Sequence, residues 1–428
     1  MTTKRTAADL RAPWESYRTD PVREELLAPD ETPDLDRIRD LLPPLTGEPV
    51  FDPRLIQANI HRLELRPHVD TGHPFLDLSV QTGLASIDAT FQGDHPKYGA
   101  KLFWQRPHDS FPPVIIAAVD ALSAWGLHER ATRLFRYWLL RFVRVDGTID
   151  YYGPALSEYG QLLYTAALLK ARAGPAGWLR HCAAPLERMA GRLLHMHEEA
   201  RRDDVALLRG SPEADERKKE RAYFHNNLWV ARGLLEFSRL FNRRKTTPPS
   251  LAARAREAAK RLHEDTLASI EATWPKDKTD WWLPAQAEPA ERPERLTATK
   301  DASYANGRYW FEMLSSGLLP EDMANRLVEA RLHGGGQFCG MSRLEHFIDD
   351  WMLADYLYGL WRLGRKRDFL LSLYGHVAFH QAEGHLTAYE SITFPQGPEQ
   401  GSTENSPYCL PCQLVAARAA RLLVKDDG

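Results

Sequence analysis

Five times in succession the chain runs through the same four steps: an apolar helix, a short break, an amphipathic helix, and a long polar loop. Residues 110–125 (SFPPVIIAAVDALSAW) are apolar nearly all round, as expected of a helix buried on several sides, and Gly126 ends them. Residues 128–143 then place Arg130, Arg133, Arg136 and Arg141 at intervals of three to five, the wet face of a surface helix. The couplet recurs at 156–173 with 177–200, at 222–242 with 249–271, at 303–316 with 320–332, and at 348–363 with 365–380. A sixth apolar helix, about 407–424, finds its partner near 76–92, although LDLSVQTGLASIDATF also reads as partly strand.

Six inner and six outer helices in alternation predict a mainly α fold, an (α/α)6 toroid over residues 71–428. Residues 1–70, rich in Pro, Asp and Arg and without periodicity, read as an irregular N-terminal arm or lid. The short links all fall at one end, after the inner helices. The long links, 144–155, 203–221, 272–302, 333–347 and 381–406, fall at the other. Function concentrates on loops held by a rigid scaffold, so the chemistry is expected at the N-terminal ends of the inner helices.

The totals exclude several classes. A net charge of −3 over 428 residues gives no reason to expect nucleic acid or a membrane surface as partner. Four cysteines are too few for a disulfide scaffold of this size. The opening MTTKRTAADLRAPWESYR has no apolar signal-peptide core, and no apolar run approaches the ~20 residues of a membrane span. The expected compartment is therefore cytoplasmic. No strand–turn–helix Gly fingerprint, Walker loop or His-Glu-x-x-His pattern occurs, so no cofactor and no metal is expected. The loop carboxylates Asp277 and Asp280 are the pair best suited to calcium, should one bind.

The loops set carboxylates beside aromatics. Before the first inner helix FWQRPHDSFPP carries Trp104, Arg106, His108 and Asp109, and the next loop supplies Asp146, Asp150, Tyr151, Tyr152 and Glu158. LLRGSPEADERKKERAYFHNN brings Glu213, Asp215, Glu216, His225 and Asn226. The third loop adds Trp281, Trp282, Asp301, Tyr304, Asn306 and Arg308, and the fourth (SRLEHFIDDW) Glu345, His346, Asp349 and Asp350. The last holds Glu383, His385, Tyr389, Glu390 and Glu404.

Sugars suit this inventory: their apolar faces stack on Trp and Tyr, and carboxylates, Arg and Asn bind the hydroxyls. Plainer duties compete. Asp109 and Asp301 stand where helix caps stand, Trp281 and Trp282 can pack a loop, and His225 suits a hydrogen-bonded structural role. Cys409-Leu-Pro-Cys412 has no βαβ context for redox chemistry and reads as buried packing.

Over roughly residues 75–425 these stretches resemble the six-hairpin glycosidase superfamily, nearest to the trehalase, glucosidase and α-L-rhamnosidase-like group. HDSFPPVIIAAVDAL is similar to that group's entry to the first inner helix, where a sugar is held. LLRGSPEADER…YFHNNLWVARGLLEFSRL resembles the loop and third inner helix that carry a general acid, and HLTAYESITFPQG the loop that carries a general base. The resemblance implies a glycoside hydrolase acting with inversion on an oligosaccharide or glycoside. It implies Glu213 or Asp215 as acid and Glu390 as base, with Trp104, Arg106, Asp109, Asp301 and Arg308 on the sugar. His108, Tyr152, Glu158, His225, Asn226, Trp281, Glu345 and Asp350 complete the expected substrate contacts.

The same scaffold suits three rivals: a polysaccharide lyase using Tyr304, Asn306, Arg308, His225 and Asn226; a sugar epimerase built on paired histidines among His225, His346, His376, His380 and His385; and a carbohydrate-binding protein without chemistry.

Overall fold

Proline opens the ring. The first inner helix, α2 (Pro112–Ala124), starts on two prolines, placed where the missing N–H groups have no intrahelical partner to lose. It is followed by α3 (His128–Phe142), which turns Ala131, Leu134, Phe135, Trp138, Leu139 and Phe142 inward and leaves Arg133, Arg136 and Arg141 outward, whereas Arg130, expected on the wet face, is buried against Asp88. In this computed structural model the described residues are 69–71, 74–97, 108–151, 155–174, 177–202, 206–213, 219–241, 249–338, 340–344, 347–379, 388–393, 403–405 and 409–424. The expected arm, apart from residues 69 and 70, lies outside them.

The couplet continues through α4 (Leu156–Ala173) and α5 (Gly177–Ala200), then α6 (Phe224–Leu240) and α7 (Leu251–Thr273). The fourth inner element is composite: α8 (Lys300–Tyr304), a π-helical turn (Ala305–Tyr309) and α9 (Trp310–Ser316), ended by Gly317 in the left-handed region. It is followed by α10 (Glu321–His333), then α11 (Leu353–Arg362) and α12 (Lys366–Phe379). The last inner element is broken into α13 (Leu410–Gln413) and α14 (Val415–Ala420). The segment that also read as strand is α1 (Pro74–Thr90), and it packs against α14 as the outer partner expected of it.

The inner helices close on themselves. In order, α2 packs on α4, α4 on α6, α6 on α9, α9 on α11, α11 on α14, and α14 back on α2. The seam is held by Trp125, just past α2, whose indole Nε1 donates to Ala417 O at 2.7 Å. Between α4 and α6 the approach is backbone to backbone: a side chain at Gly160 would collide with the carbonyl of Trp229, and one at Gly233 with Gly160 itself.

Loops four and five, read as long links, carry structure of their own. Gln337–Phe338 (β3), Met341–Leu344 (β4), Phe347–Asp349 (β5), Ser391–Thr393 (β6) and Thr403–Asn405 (β7) form one antiparallel sheet in chain order. It follows a short hairpin, β1 (Phe91–Gln92) with β2 (His95–Pro96). In the larger sheet Asp349 faces Ser391, Ile348 faces Ile392, and Ile392 faces Glu404 on its other side. Two loops far apart in sequence are thus locked together. Among the described residues no helix is long and apolar enough to cross a membrane.

Candidate active site

The N-terminal ends of the inner helices converge on one guanidinium. Glu158 stands in the first turn of α4, wholly buried, and Arg308 reaches it from the π turn at 2.9 Å. The same side chain contacts Glu312, one turn on in α9, at 3.1 Å and Glu213 at 3.4 Å. A π turn carries an extra residue, a device frequent at functional sites, and all five of its residues, Ala305 to Tyr309, are buried. Burial opposes the charge of Arg308, but Glu312, Glu213 and Glu158 hold it firmly cationic. Burial pushes the Glu312 carboxyl up from the usual range, and Arg308 only partly offsets this.

Glu213 comes from a loop that two asparagines fasten. Asn226 Nδ2 donates to Ser211 O at 3.0 Å while its Oδ1 accepts Ser157 N–H at 2.9 Å, tying the loop to the start of α4. Asn227 meets both the N–H and the C=O of Leu208. His225, the residue before them, stacks flat on Tyr309 with centroids 4.5 Å apart and lies 3.9 Å from Glu312. Burial and the neighbouring Arg308 push its imidazole well below the usual histidine range, so it is neutral at pH 7. Asn226 and His225 therefore build the site's walls.

The opposite side is made by the sheet. Asp349 ends β5, and its Oδ1 accepts Trp351 N–H at 3.2 Å. Its pairing with Ser391 brings it beside Glu390. Burial first, then repulsion from Glu390, Asp350 and Glu213, raise the Asp349 carboxyl well above the usual range. Glu213 and Glu390, carried by loops far apart in sequence, thus both act on the Asp349 carboxyl. Asp350 turns the other way: it accepts Ser342 N–H at 2.9 Å and pairs with the buried His376 at 3.0 Å. Beneath Glu390, Cys409 and Cys412 are buried, with Cys412 Sγ 3.9 Å from Glu390 O. Burial pushes both thiols up, in keeping with packing and against thiolate chemistry.

Aromatic rings close the third side. Arg308 sits 4.8 Å from the centroid of Trp351, Phe111 packs on the other rings at 6.0 Å from Trp351 and 5.4 Å from Tyr151, and His108 Nδ1 lies 3.2 Å from Tyr151 OH. Asp109 caps no helix; its Oδ2 accepts from Lys97 Nζ at 2.6 Å and lies 2.9 Å from His95 Nε2.

Other expected residues fall elsewhere. Trp281 is half-buried under Arg292, 5.5 Å away, with its edge toward Trp282. Asp301 is exposed in the first turn of α8, whose cap is Thr299, accepting Ala302 N–H at 3.1 Å. Asp277 and Asp280 spend oxygens on the turn N–H groups of Thr279 and Trp282, and Asp280 also pairs with Arg292. Trp104, Arg106, Tyr152, Asp215 and Glu345 lie outside the described residues. Glu312, Tyr309 and Trp351 join the site without having been singled out, and Asp349 was only one carboxylate among many; a helical position at i+4 from Arg308 was the one signal available for Glu312.

Among solved structures the chain is similar to a wild-type glycosidase, with 12% identity and a TM-score of 0.57 over 83% of this chain and 100% of that one. It is similar to a variant glycosidase in complex with glucose, at 12% identity and a TM-score of 0.56 over the same shares. A rhamnosidase from Klebsiella oxytoca with rhamnose bound matches at 12% identity and 0.56, over 82% of this chain and 64% of that chain. The fold is thus the six-hairpin toroid of these enzymes. No family model and no curated protein sequence matches the chain.

Proposed function

We propose that the chain is a glycoside hydrolase that cleaves a glycosidic bond by single displacement, with Glu390 as general base and Glu213 as general acid. The observation that carries this reading is the convergence of two loops: Glu213 meets Arg308 at 3.4 Å, Arg308 lies over Trp351, and Asp349, which accepts the Trp351 N–H, pairs with Ser391 next to Glu390. Inversion needs one protonated and one ionised carboxyl about 6.5–9.5 Å apart, with water between. Three carboxyls around one guanidinium would carry a net charge of −2 if all ionised, so protons are readily retained there. Glu213 is the farthest of the three from Arg308 and the most exposed, at 6% against 0% and 1%, which suits a group that must meet the departing oxygen. The glycosidase and rhamnosidase likenesses support the same class through the fold.

The lyase reading loses its cation and its amide. Arg308 is engaged with three carboxylates, and Asn306 Nδ2 donates to Gly336 O at 2.8 Å and Arg343 O at 3.1 Å, leaving neither to neutralise a uronate. Purified protein should be incubated with oligosaccharides and aryl glycosides and the products followed by proton NMR. The expected result is release of the inverted anomer, reduced at least ~10³-fold in Glu390→Gln. Glu213→Gln should lose oligosaccharides yet retain dinitrophenyl glycosides, whose leaving group needs no proton. A vinylic product signal, or full activity in Glu390→Gln, would sink the assignment.

A further inference from the structure

Below the carboxylate cluster the ring encloses a second space. A cavity of about 100 Å³ lies between the inner helices, lined by residues of α2, α4, α6, α9, α11, α13 and α14. Its polar lining is unusual in two respects. The first is charge: Arg172, Arg362 and Arg418 face it with Asp120 and Asp355, three cations to two anions. Asp120 is fully engaged, accepting from Arg172 at 2.8 Å, Arg418 at 2.8 Å and Tyr358 at 3.1 Å. Asp355 lies 3.6 Å from Arg418. That leaves Arg362, exposed at the rim, with no carboxylate partner among the described residues; its bond to Gly317 O at 3.1 Å uses one N–H of five.

The second respect is unmet donors. Gln161 Nε2 and Trp229 Nε1 are both buried, on residues 7% and 4% exposed that line the cavity, and neither has a hydrogen-bond partner among the described residues. An unsatisfied buried donor costs about 1–3 kcal/mol, so two on one cavity wall point to an acceptor that enters it. Pro113, Ile116, Leu168, Met352 and Pro411 give the wall its apolar part, and Thr165 and Ser315 add hydroxyls to it.

We propose that this cavity is a binding site for a small organic anion, a carboxylate carrying a hydroxyl or carbonyl acceptor. One water needs ~10–15 Å³ by this measure, so the space takes a molecule of up to roughly seven to ten heavy atoms. The carboxylate lies toward Arg362, and the second acceptor meets Gln161 and Trp229. Trp351 lines the cavity and also carries Arg308 on its ring, so occupancy stiffens the floor on which the Glu213–Arg308 cluster rests.

The test uses the full chain and two probes of equal size, sodium lactate and glycerol, at matched ionic strength. Binding is followed by calorimetry and by tryptophan fluorescence, since Trp229 and Trp351 both line the space. Lactate is expected to saturate with one site per chain, and glycerol to bind at least about tenfold more weakly. Arg362→Gln should abolish the preference for lactate, and Gln161→Leu should weaken both probes. Leu168→Trp, which fills the cavity from an apolar wall, should abolish binding while circular dichroism shows it folded. Equal affinity for the two probes, no saturable binding of lactate, or binding that survives Leu168→Trp would each overturn the proposal. None of these readouts depends on glycoside turnover, so the outcome stands apart from the fate of the hydrolase reading.

Discussion

A single guanidinium buried among three carboxylates is a costly arrangement that only mutual pairing sustains. Arg308 is 1% exposed and so, within a few per cent, are Glu158, Glu312 and Glu213. Replacing Arg308 by Met keeps much of the volume but strands negative charge in the interior, and breaking a buried pair in this way costs about 3–5 kcal/mol. Urea denaturation should show the midpoint falling accordingly; a shift under half of that would mean the carboxyls simply take up protons. Asp349 makes the opposite prediction. Its folded-state pKa lies above that of the unfolded chain, so the fold binds its proton more tightly. Its favourable contribution is present in acid and lost as pH rises through the folded value. Asp349→Asn keeps the acceptor for Trp351 N–H and removes the charge. The variant should be more stable than wild type at pH 8, with the difference gone below about pH 4. It should also retain at least about a tenth of the activity if Asp349 only shapes the field around Glu390, whereas a loss matching Glu390→Gln would make Asp349 a proton-transfer group.

Among the elements, the tightest constraint is the α4–α6 crossing. Gly160 and Gly233 let the two backbones touch, and that contact sets where Glu158, near the start of α4, stands relative to His225 and the asparagine clamps on α6. Gly160→Ala must push the helices apart against a backbone carbonyl that has no rotamer to give. We expect a loss of about 3 kcal/mol or more, at the upper end of overpacking costs, read as a drop in Tm by circular dichroism, together with loss of turnover; an unchanged Tm would show the helices free to slide. Helices of this kind were legible beforehand: residues 156–173 and 177–200 have the bounds that apolar periodicity and the Gly174 break predict. The sheet was not. Its strands are two to four residues long, too short for alternation to register, and the pairing of β5 with β6 joins segments some forty positions apart. Site residues divide along the same line. Arg308 and Glu213 stood out by chemistry at helix entrances, but whether Asp349 or Asp350 faces the site is decided by strand register. Asp350, expected on the substrate, accepts the Ser342 N–H and pairs with His376.

At the scale of the molecule, closure separates this chain from an open array of helical hairpins. In an open array each repeat touches only its neighbours, and removing the last one subtracts roughly that repeat's share of stability. Here the last inner element is also the neighbour of the first: α14 packs on α1 and α2, and Ala417 accepts the Trp125 indole. It serves the site as well, since Gln413 at the end of α13 holds both the N–H and the C=O of Ala388, two residues before Glu390. Deleting residues 409–428 would therefore uncover the first couplet and release the loop that carries Glu390 together. A ring predicts that the shortened chain loses its cooperative melt altogether and with it all turnover. An open array predicts a lower but still sharp transition with the carboxylate cluster intact. Following near-ultraviolet circular dichroism and hydrolysis on the same deletion decides between them, and a cooperative, active product would mean that the observed closure carries little of the stability.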